Sequence, residues 1–165
     1  MEPALDLSDR GADFKPYPLD KVTRHAPPGT RLQGKYPHVT GLEHDEQGHP
    51  SGSPKMHTQM TAKRRNKLIE LSKKLPLPEV YGDQEGDVLL VGWGSTYGPI
   101  KESVNRMRAE GHKIGSAHLR HIHPMPAGLD RLFAKFKKVV VVEMNDYGLY
   151  GYGQLAMLLR AALAM

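Results

Sequence analysis

Hydrophobic and polar positions follow different patterns in the two halves of this 165-residue chain. From residue 87 onward, apolar runs typical of buried strands alternate with segments whose apolar residues recur at helical spacing. The predicted strands are residues 87–91, 114–119 and 139–142. The predicted helices are residues 99–110, residues 154–164, and a segment marked by Leu129, Leu132, Phe133 and Phe136. Such alternation predicts an α/β fold with a mostly parallel sheet and right-handed crossovers.

Two stretches of this second half carry more specific expectations. The run of four valines at 139–142 is typical of a central parallel strand that is covered on both faces. The stretch DVLLVGWGSTYG at 87–98 predicts a buried strand that leads into a glycine-bearing turn. Ser95 and Thr96 follow this turn, and we expect them to cap the next helix because their hydroxyl groups accept hydrogen bonds from backbone N–H groups.

The first half shows no sustained periodicity from Met1 to about His57, and it holds most of the 13 prolines. We therefore expect an extended, proline-rich segment that packs on something else or is unstructured alone. A helix is predicted at residues 61–75, with Pro76 and Pro78 stopping it. Its apolar face carries Leu68, Ile69, Leu71 and Leu75. Its basic face, which is either solvated or a docking surface, carries Lys63, Arg64, Arg65, Lys67, Lys73 and Lys74.

Composition and charge narrow the function classes. The chain has no cysteine, so it offers no thiolate to zinc or to an iron–sulfur cluster. Its net charge of +5 is modest, and basic and acidic residues are interspersed, so we do not expect nucleic acid as a partner. No apolar run reaches the length of a membrane span, and the acidic N-terminus does not resemble a secretory signal. A cytoplasmic location is the default expectation.

Three predicted strand ends converge on one edge of the sheet and form the first candidate site. The turn with Gly94, Ser95 and Thr96 is similar to a dinucleotide-binding turn, but its glycine spacing differs from the fingerprint by one residue. We interpret this turn as structural, with a nucleotide phosphate as the alternative. The other two strand ends carry His123, Glu143 and Asn145, which suit a hydrogen-bonded rim or a partner contact. A metal site among His118, His121 and His123 is a weaker alternative.

A second candidate site is an acidic loop that contains Glu43, His44, Asp45 and Glu46. Clustered carboxylate and imidazole groups on a loop are able to transfer protons or bind a cation. Most such runs are solvated loops, so both interpretations stay open.

Six short motifs follow one another along the chain: 22–29 (VTRHAPPG), 40–48 (TGLEHDEQG), 63–64 (KR), 91–96 (VGWGST), 123–126 (HPMP) and 142–145 (VEMN). In this order and spacing they resemble the C-terminal part of the alpha subunit of 2-oxoacid:ferredoxin oxidoreductases, with the 2-oxoglutarate (KorA-type) branch as the nearest likeness. The resemblance covers residues 14–160. Arg24, which lies in the first motif, joins the acidic loop as a candidate contact residue.

The resemblance implies a fold and a division of labour. Residues 87–165 are expected to form a three-layer α/β domain similar to the transketolase C-terminal domain. Residues 1–86 are expected to form the tail of a pyrimidine-binding domain and its connector, with most of that domain absent from this chain. The family implies thiamine diphosphate, Mg²⁺ and iron–sulfur clusters in the complete assembly, with none bound by this chain alone. The implied partners are the beta subunit and the rest of the alpha subunit, with ferredoxin and coenzyme A acting on the assembly.

The leading hypothesis is a portion of an alpha subunit that contributes to subunit assembly and is inactive alone. The reaction of the whole enzyme would be the oxidative decarboxylation of a 2-oxoacid, 2-oxoglutarate by the resemblance, to an acyl-coenzyme A. The alternatives are a free-standing nucleotide-binding module that uses the turn at Gly94 and an interaction module that uses the basic helix.

Overall fold

The computed structural model of the chain describes residues 14–22 and 38–163. It divides into two compact units, Met1–Glu70 and Leu71–Met165. The described part of the first unit consists of loops and most of one long helix, whereas the second unit contains the sheet. None of the helices in the described ranges is both long and apolar enough to cross a bilayer.

The long helix α1 (Pro54–Lys74) begins seven residues earlier than the predicted start at residue 61. The reason is local, because the Ser53 hydroxyl accepts the N–H of Met56 at 3.4 Å and the Ser53 carbonyl accepts the N–H of His57 at 3.0 Å. Ser53 thus caps the helix, and Pro54 occupies the first helical position, where its missing N–H costs nothing. The predicted stop before Pro76 is confirmed.

The predicted apolar face of α1 is wrong in part. Met60 is the helix residue that is buried, at 1% exposure, whereas Ile69 and Leu71 are 47% and 42% exposed. The basic face is also not simply solvated. The Lys63 ammonium donates to the Lys21 carbonyl at 2.7 Å, and Arg64 pairs with Glu43.

The second unit contains a four-stranded sheet, and the predicted α/β fold with a mostly parallel sheet is confirmed. The strands are β1 (Val80–Gly82), β2 (Gly86–Trp93), β3 (Ile114–Leu119) and β4 (Phe136–Val142). Their order across the sheet is β1-β3-β2-β4. The central strand β2 runs parallel to β3 and β4, and β1 pairs antiparallel with β3. The three-residue β1 lies within residues 1–86, where the family resemblance implies a domain tail and its connector.

Helices cover both faces of this sheet. They are α2 (Tyr97–Ala109), α3 (Leu129–Phe133) and α4 (Gln154–Leu163). Because side chains alternate along a strand, Leu89 and Val91 face a core completed by α3 and α4, whereas Gly92 faces Ile100 of α2. The architecture is therefore the three-layer α/β/α arrangement that the family resemblance implies.

Two predictions about the last strand are wrong. The valines at 139–142 belong to β4, which lies at an edge of the sheet and is half-buried, rather than to a central strand. Phe136, taken as a helix residue, is the first residue of β4, and α3 is only five residues long. An apolar run of this length does not distinguish a helix end from a strand start.

Candidate functional site

The acidic loop lies in the first unit, where Glu43 accepts hydrogen bonds from three neighbours. Its carboxylate accepts both terminal N–H groups of Arg64, one of them at 3.2 Å, and it lies 2.6 Å from Nδ1 of His57. It also accepts the backbone N–H of His44 at 3.2 Å. The bonds from Arg64, followed by those from His57, lower the pKa of Glu43 from its ordinary value of 4.5 to about 2. Glu43 is therefore a carboxylate held by ion pairs rather than a proton donor near neutral pH.

The carboxylates of Asp45 and Glu46 also accept hydrogen bonds from neighbouring groups. Burial raises the pKa of Asp45, but the backbone N–H groups of His49 and Gln47, each 2.9 Å from its carboxylate, outweigh that effect and lower the pKa. The pKa of Glu46 is lowered by the backbone N–H of Leu19 at 3.0 Å and then by the ammonium of Lys15 at 3.0 Å. The Glu46 carboxylate thus ties the loop to the 14–22 segment, whereas the Asp45 carboxylate fixes the turn of the loop itself.

The imidazole of His44 completes this arrangement. Its Nδ1 lies 2.8 Å from the Asp45 carbonyl, and its ring centroid lies 4.3 Å from that of Tyr17. Among the described residues, no group of three or more His, Cys, Asp or Glu side chains is placed to hold a metal ion. The geometry of residues 43–46 therefore fits a fixed loop better than a proton-transfer or cation site. Arg24 lies outside the described residues.

At the sheet edge, the expected convergence of three strand ends is confirmed. Strands β2, β3 and β4 are parallel, and Gly92 pairs in register with both His118 and Val142. Glu143 and Asn145 therefore follow β4 at the same edge as the turn after β2. His123 is exposed and precedes a cis peptide bond to Pro124.

The expectation that Ser95 and Thr96 cap α2 is wrong. Residues Gly94–Thr96 form a short 3₁₀ turn, and α2 has no side-chain hydrogen bond at its cap. Instead the buried Thr96 hydroxyl accepts the N–H of Trp93 at 3.1 Å and donates to the Trp93 carbonyl at 2.8 Å. Ser95 is exposed. Gly94 has a φ of 57°, in the left-handed region that favours glycine, so this glycine serves the turn.

Glu143 caps the last helix, a role that its spacing in the sequence does not reveal. Its carboxylate accepts the N–H of Leu155 at 2.8 Å and that of Ala156 at 2.9 Å, at the start of α4. It also accepts the side-chain amide of Asn145 at 2.8 Å. Two orphan donors at the helix start are thereby satisfied, and the negative charge lies at the positive end of the helix dipole.

Comparison with known proteins identifies the family. The sequence profile of the pyruvate:ferredoxin oxidoreductase core domain II matches residues 86–165. The alpha subunit of 2-oxoacid:ferredoxin oxidoreductase 2 from Aeropyrum pernix is 36% identical over 159 residues, which is 94% of this chain and 24% of the relative. The 2-oxoglutarate oxidoreductase subunit KorA of Mycobacterium tuberculosis is 38% identical over 155 residues, 91% of this chain and 22% of the relative. The chain belongs to the 2-oxoacid:ferredoxin oxidoreductase family.

A solved structure of the family agrees with this assignment. It is a 2-oxoglutarate:ferredoxin oxidoreductase from Magnetococcus marinus with 2-oxoglutarate, coenzyme A and succinyl-CoA bound. It superimposes with a TM-score of 0.73 at 38% identity, over 90% of this chain and 25% of its own chain. The chain thus spans about a quarter of the length of the family members it matches.

The 2-oxoacid:ferredoxin oxidoreductase family generally uses thiamine diphosphate and iron–sulfur clusters. Without cysteine the chain has no thiolate for a cluster. Among the described residues, the carboxylates of the acidic loop already bond to neighbouring groups and make no cation cage. No catalytic step is therefore assigned to a side chain within residues 14–22 and 38–163.

Proposed function

We propose that the chain forms the C-terminal portion of the alpha subunit of a thiamine diphosphate-dependent 2-oxoacid:ferredoxin oxidoreductase. The observation that carries this proposal is the extent of the similarity. It runs over more than nine-tenths of this chain but over only about a quarter of the relatives. The whole enzyme would decarboxylate a 2-oxoacid oxidatively and form an acyl-coenzyme A. We propose 2-oxoglutarate as the substrate, because the KorA relative is named for this 2-oxoacid and the solved structure contains it as a bound ligand.

The proposed role of this chain within the enzyme is assembly. Residues 1–86 would complete a pyrimidine-binding domain and its connector, and residues 87–165 would form a transketolase-C-like domain. The beta subunit and the rest of the alpha subunit would supply the thiamine diphosphate, Mg²⁺ and cluster sites. Ferredoxin and coenzyme A would bind to the assembly, which we place in the cytoplasm.

The geometry of the candidate residues supports a non-catalytic role. Glu43 and Glu143 are already engaged in ion pairs or helix capping, and Thr96 is engaged in a turn. The exposed groups Ser95 and His123 remain candidate contacts to neighbouring subunits, beside Gly94 and Asn145. An interaction surface at this edge would need no activated nucleophile or base.

Affinity purification from the source cells tests the proposal. A tagged copy of the full chain is expected to co-purify with two other proteins. One carries the rest of the alpha subunit, the other is a beta subunit, and the two are expected in equal amounts. Mass spectrometry identifies both proteins, and an untagged strain is the control. Recovery of the tagged chain as a free monomer from cells that express those proteins would contradict the proposal.

A further inference from the structure

A cavity of about 650 Å³ opens at the end of β3, within the second unit. Its walls come from residues 76–81, from Tyr97 at the start of α2, and from residues at and after the end of β3. The volume lies in the range of roughly 300–1,000 Å³ that is usual for small-molecule sites. In open α/β sheets, ligands bind beyond the carboxyl ends of the strands, which is where this cavity lies.

One wall of the cavity is apolar and held in place. Pro76, Pro78 and Pro126 contribute to it. Pro126 is fixed from both sides by Ser72, whose hydroxyl donates to the carbonyl of Met125 and whose carbonyl accepts the N–H of Ala127 at 3.0 Å. Proline rings cannot rotate away, so this wall offers a preformed surface to the apolar part of a ligand.

The polar wall carries hydrogen-bond donors and positive charge. Arg120 and His121 line the cavity and are exposed, and among the described residues of its lining the one carboxylate is that of Glu79, which is also exposed. An arginine at such a mouth binds carboxylate and phosphate groups through parallel hydrogen bonds. Arg120 is therefore the group of the lining that would bind the acid group of an anion.

His118 supplies an unsatisfied polar atom in the same wall. Its Nδ1 is buried and has no hydrogen-bond partner among the described residues. Buried polar atoms in folded proteins nearly always have one. The half-exposed Tyr97 ring packs edge-on against the imidazole, with centroids 5.2 Å apart, and both rings line the cavity. Burial, followed by the charge of Arg120, lowers the pKa of His118, and a backbone hydrogen bond with Gly94 opposes this in part.

We propose that this cavity binds a small organic anion, whose carboxylate or phosphate group lies at Arg120 and His118 and whose apolar part lies against Pro76, Pro78 and Pro126. The acid group of such a ligand accepts hydrogen bonds from the Arg120 guanidinium. It also accepts one from Nδ1 of His118 when the neutral imidazole carries its hydrogen on that nitrogen. The proposal does not rest on the function proposed above, since binding is measured on this chain without partners.

Titration of the full chain with benzoate and with phenyl phosphate tests the site, with the ring signals of His118 followed by NMR at pH 7. We expect a saturable shift of these signals with at least one of the two anions, and the one that binds more tightly identifies the acid group. Benzyl alcohol, which has the same ring without charge, is expected to bind at least tenfold more weakly. A charge-assisted hydrogen bond is worth about 1.5–3 kcal/mol, which is tenfold or more in affinity.

Variants separate this site from non-specific binding. Arg120→Gln is expected to weaken anion binding about tenfold or more, and Arg120→Lys to restore part of the loss. Arg131→Gln is the matched control, because Arg131 is exposed on α3 and does not line the cavity. The proposal is overturned if neither anion shifts the His118 signals, if benzyl alcohol binds as tightly, or if Arg120→Gln and Arg131→Gln have the same effect.

Discussion

The carboxylate of Glu43 joins the acidic loop to helix α1 through Arg64 and His57. The run of acids in the sequence shows that charge is concentrated there, but it does not show which cation each acid meets. Arg64 is 21 residues away along the chain and reaches Glu43 only because α1 begins at Pro54 and runs past the loop. The candidate loop was therefore predictable from the sequence, whereas its ion pairs were not.

Replacing Glu43 with Gln is expected to lower the stability of the first unit in a pH-dependent way. Because folding lowers the pKa of Glu43 from 4.5 to about 2, its ion pairs contribute stability above pH 4.5. That contribution is lost as the pH falls from 4.5 towards 2. The urea midpoint of the unit, followed by NMR signals of α1, should differ between wild type and Glu43→Gln at pH 6 and converge near pH 2. Glu85→Gln, at an exposed position, is the control. The stabilising role of the Glu43 ion pairs would be contradicted if the difference in urea midpoint did not change with pH, or if Glu85→Gln produced the same difference.

Gly92 shows a second constraint at the residue scale. A Cβ atom at this position would collide with the Ile100 side chain and with the Thr96 hydroxyl, so the glycine permits the close approach of α2 to β2. The sequence favours a structural turn as the reason for glycines in this stretch and leaves a nucleotide phosphate as the alternative. The structure gives packing as the reason at Gly92 and turn geometry as the reason at Gly94.

Gly92→Ala is expected to destabilise the second unit by about 1–3 kcal/mol through overpacking. The matched control is Gly98→Ala, because a Cβ at Gly98 meets open space at the start of α2. That variant should stabilise the unit by up to about 1 kcal/mol. Trp93, the one tryptophan of the chain, reports urea unfolding of this unit by fluorescence. Equal effects of the two substitutions would show that close packing at Gly92 is not what requires glycine.

At the scale of elements, α4 depends on a carboxylate from another element. Glu143 follows β4 and bonds to the first N–H groups of α4 from 12 and 13 residues away. The close approach of Gly153 to this carboxylate leaves no room for a Cβ. Strand end and helix start are thereby connected by one side chain.

Glu143→Ala is expected to destabilise the second unit by about 1 kcal/mol, the usual cost of losing a helix cap. The amide hydrogens of Leu155 and Ala156 should exchange faster with solvent, whereas those in β3 should change only in line with the global stability of the unit. Asp146→Asn, at an exposed position in the same loop, is the control and should leave both quantities unchanged. Unchanged exchange at Leu155 in Glu143→Ala would show that the carboxylate does not cap α4.

The element predictions succeeded where one local pattern decides the outcome. The strand at residues 114–119 matches β3, and the helix stop before Pro76 is observed. The predictions failed where pairing with other strands decides the structure. The valines of β4 are typical of a central strand, but the position of β4 at the sheet edge depends on the crossover after β3. Strand β1 consists of three residues and owes its existence to pairing with β3, which no local period reveals.

At the scale of the whole molecule, the order of six motifs carried more information than any single motif. The 87–98 stretch alone was ambiguous between a nucleotide site and a structural turn. Together with the other motifs, it resembled one family, to which the chain belongs. The cavity beside His118 and Arg120 was not predictable, because its walls come from segments brought together only by the fold.

The rate of 2-oxoglutarate-dependent viologen reduction tests the central claim most directly. The assay compares this chain alone, the proteins that carry the rest of the alpha subunit and the beta subunit, and all of them together, each with coenzyme A and thiamine diphosphate. We predict no activity from the chain alone, and activity in the mixture that is lost when the chain is omitted. Steady reduction by the chain alone, or full activity of the other proteins without it, would contradict the proposed role.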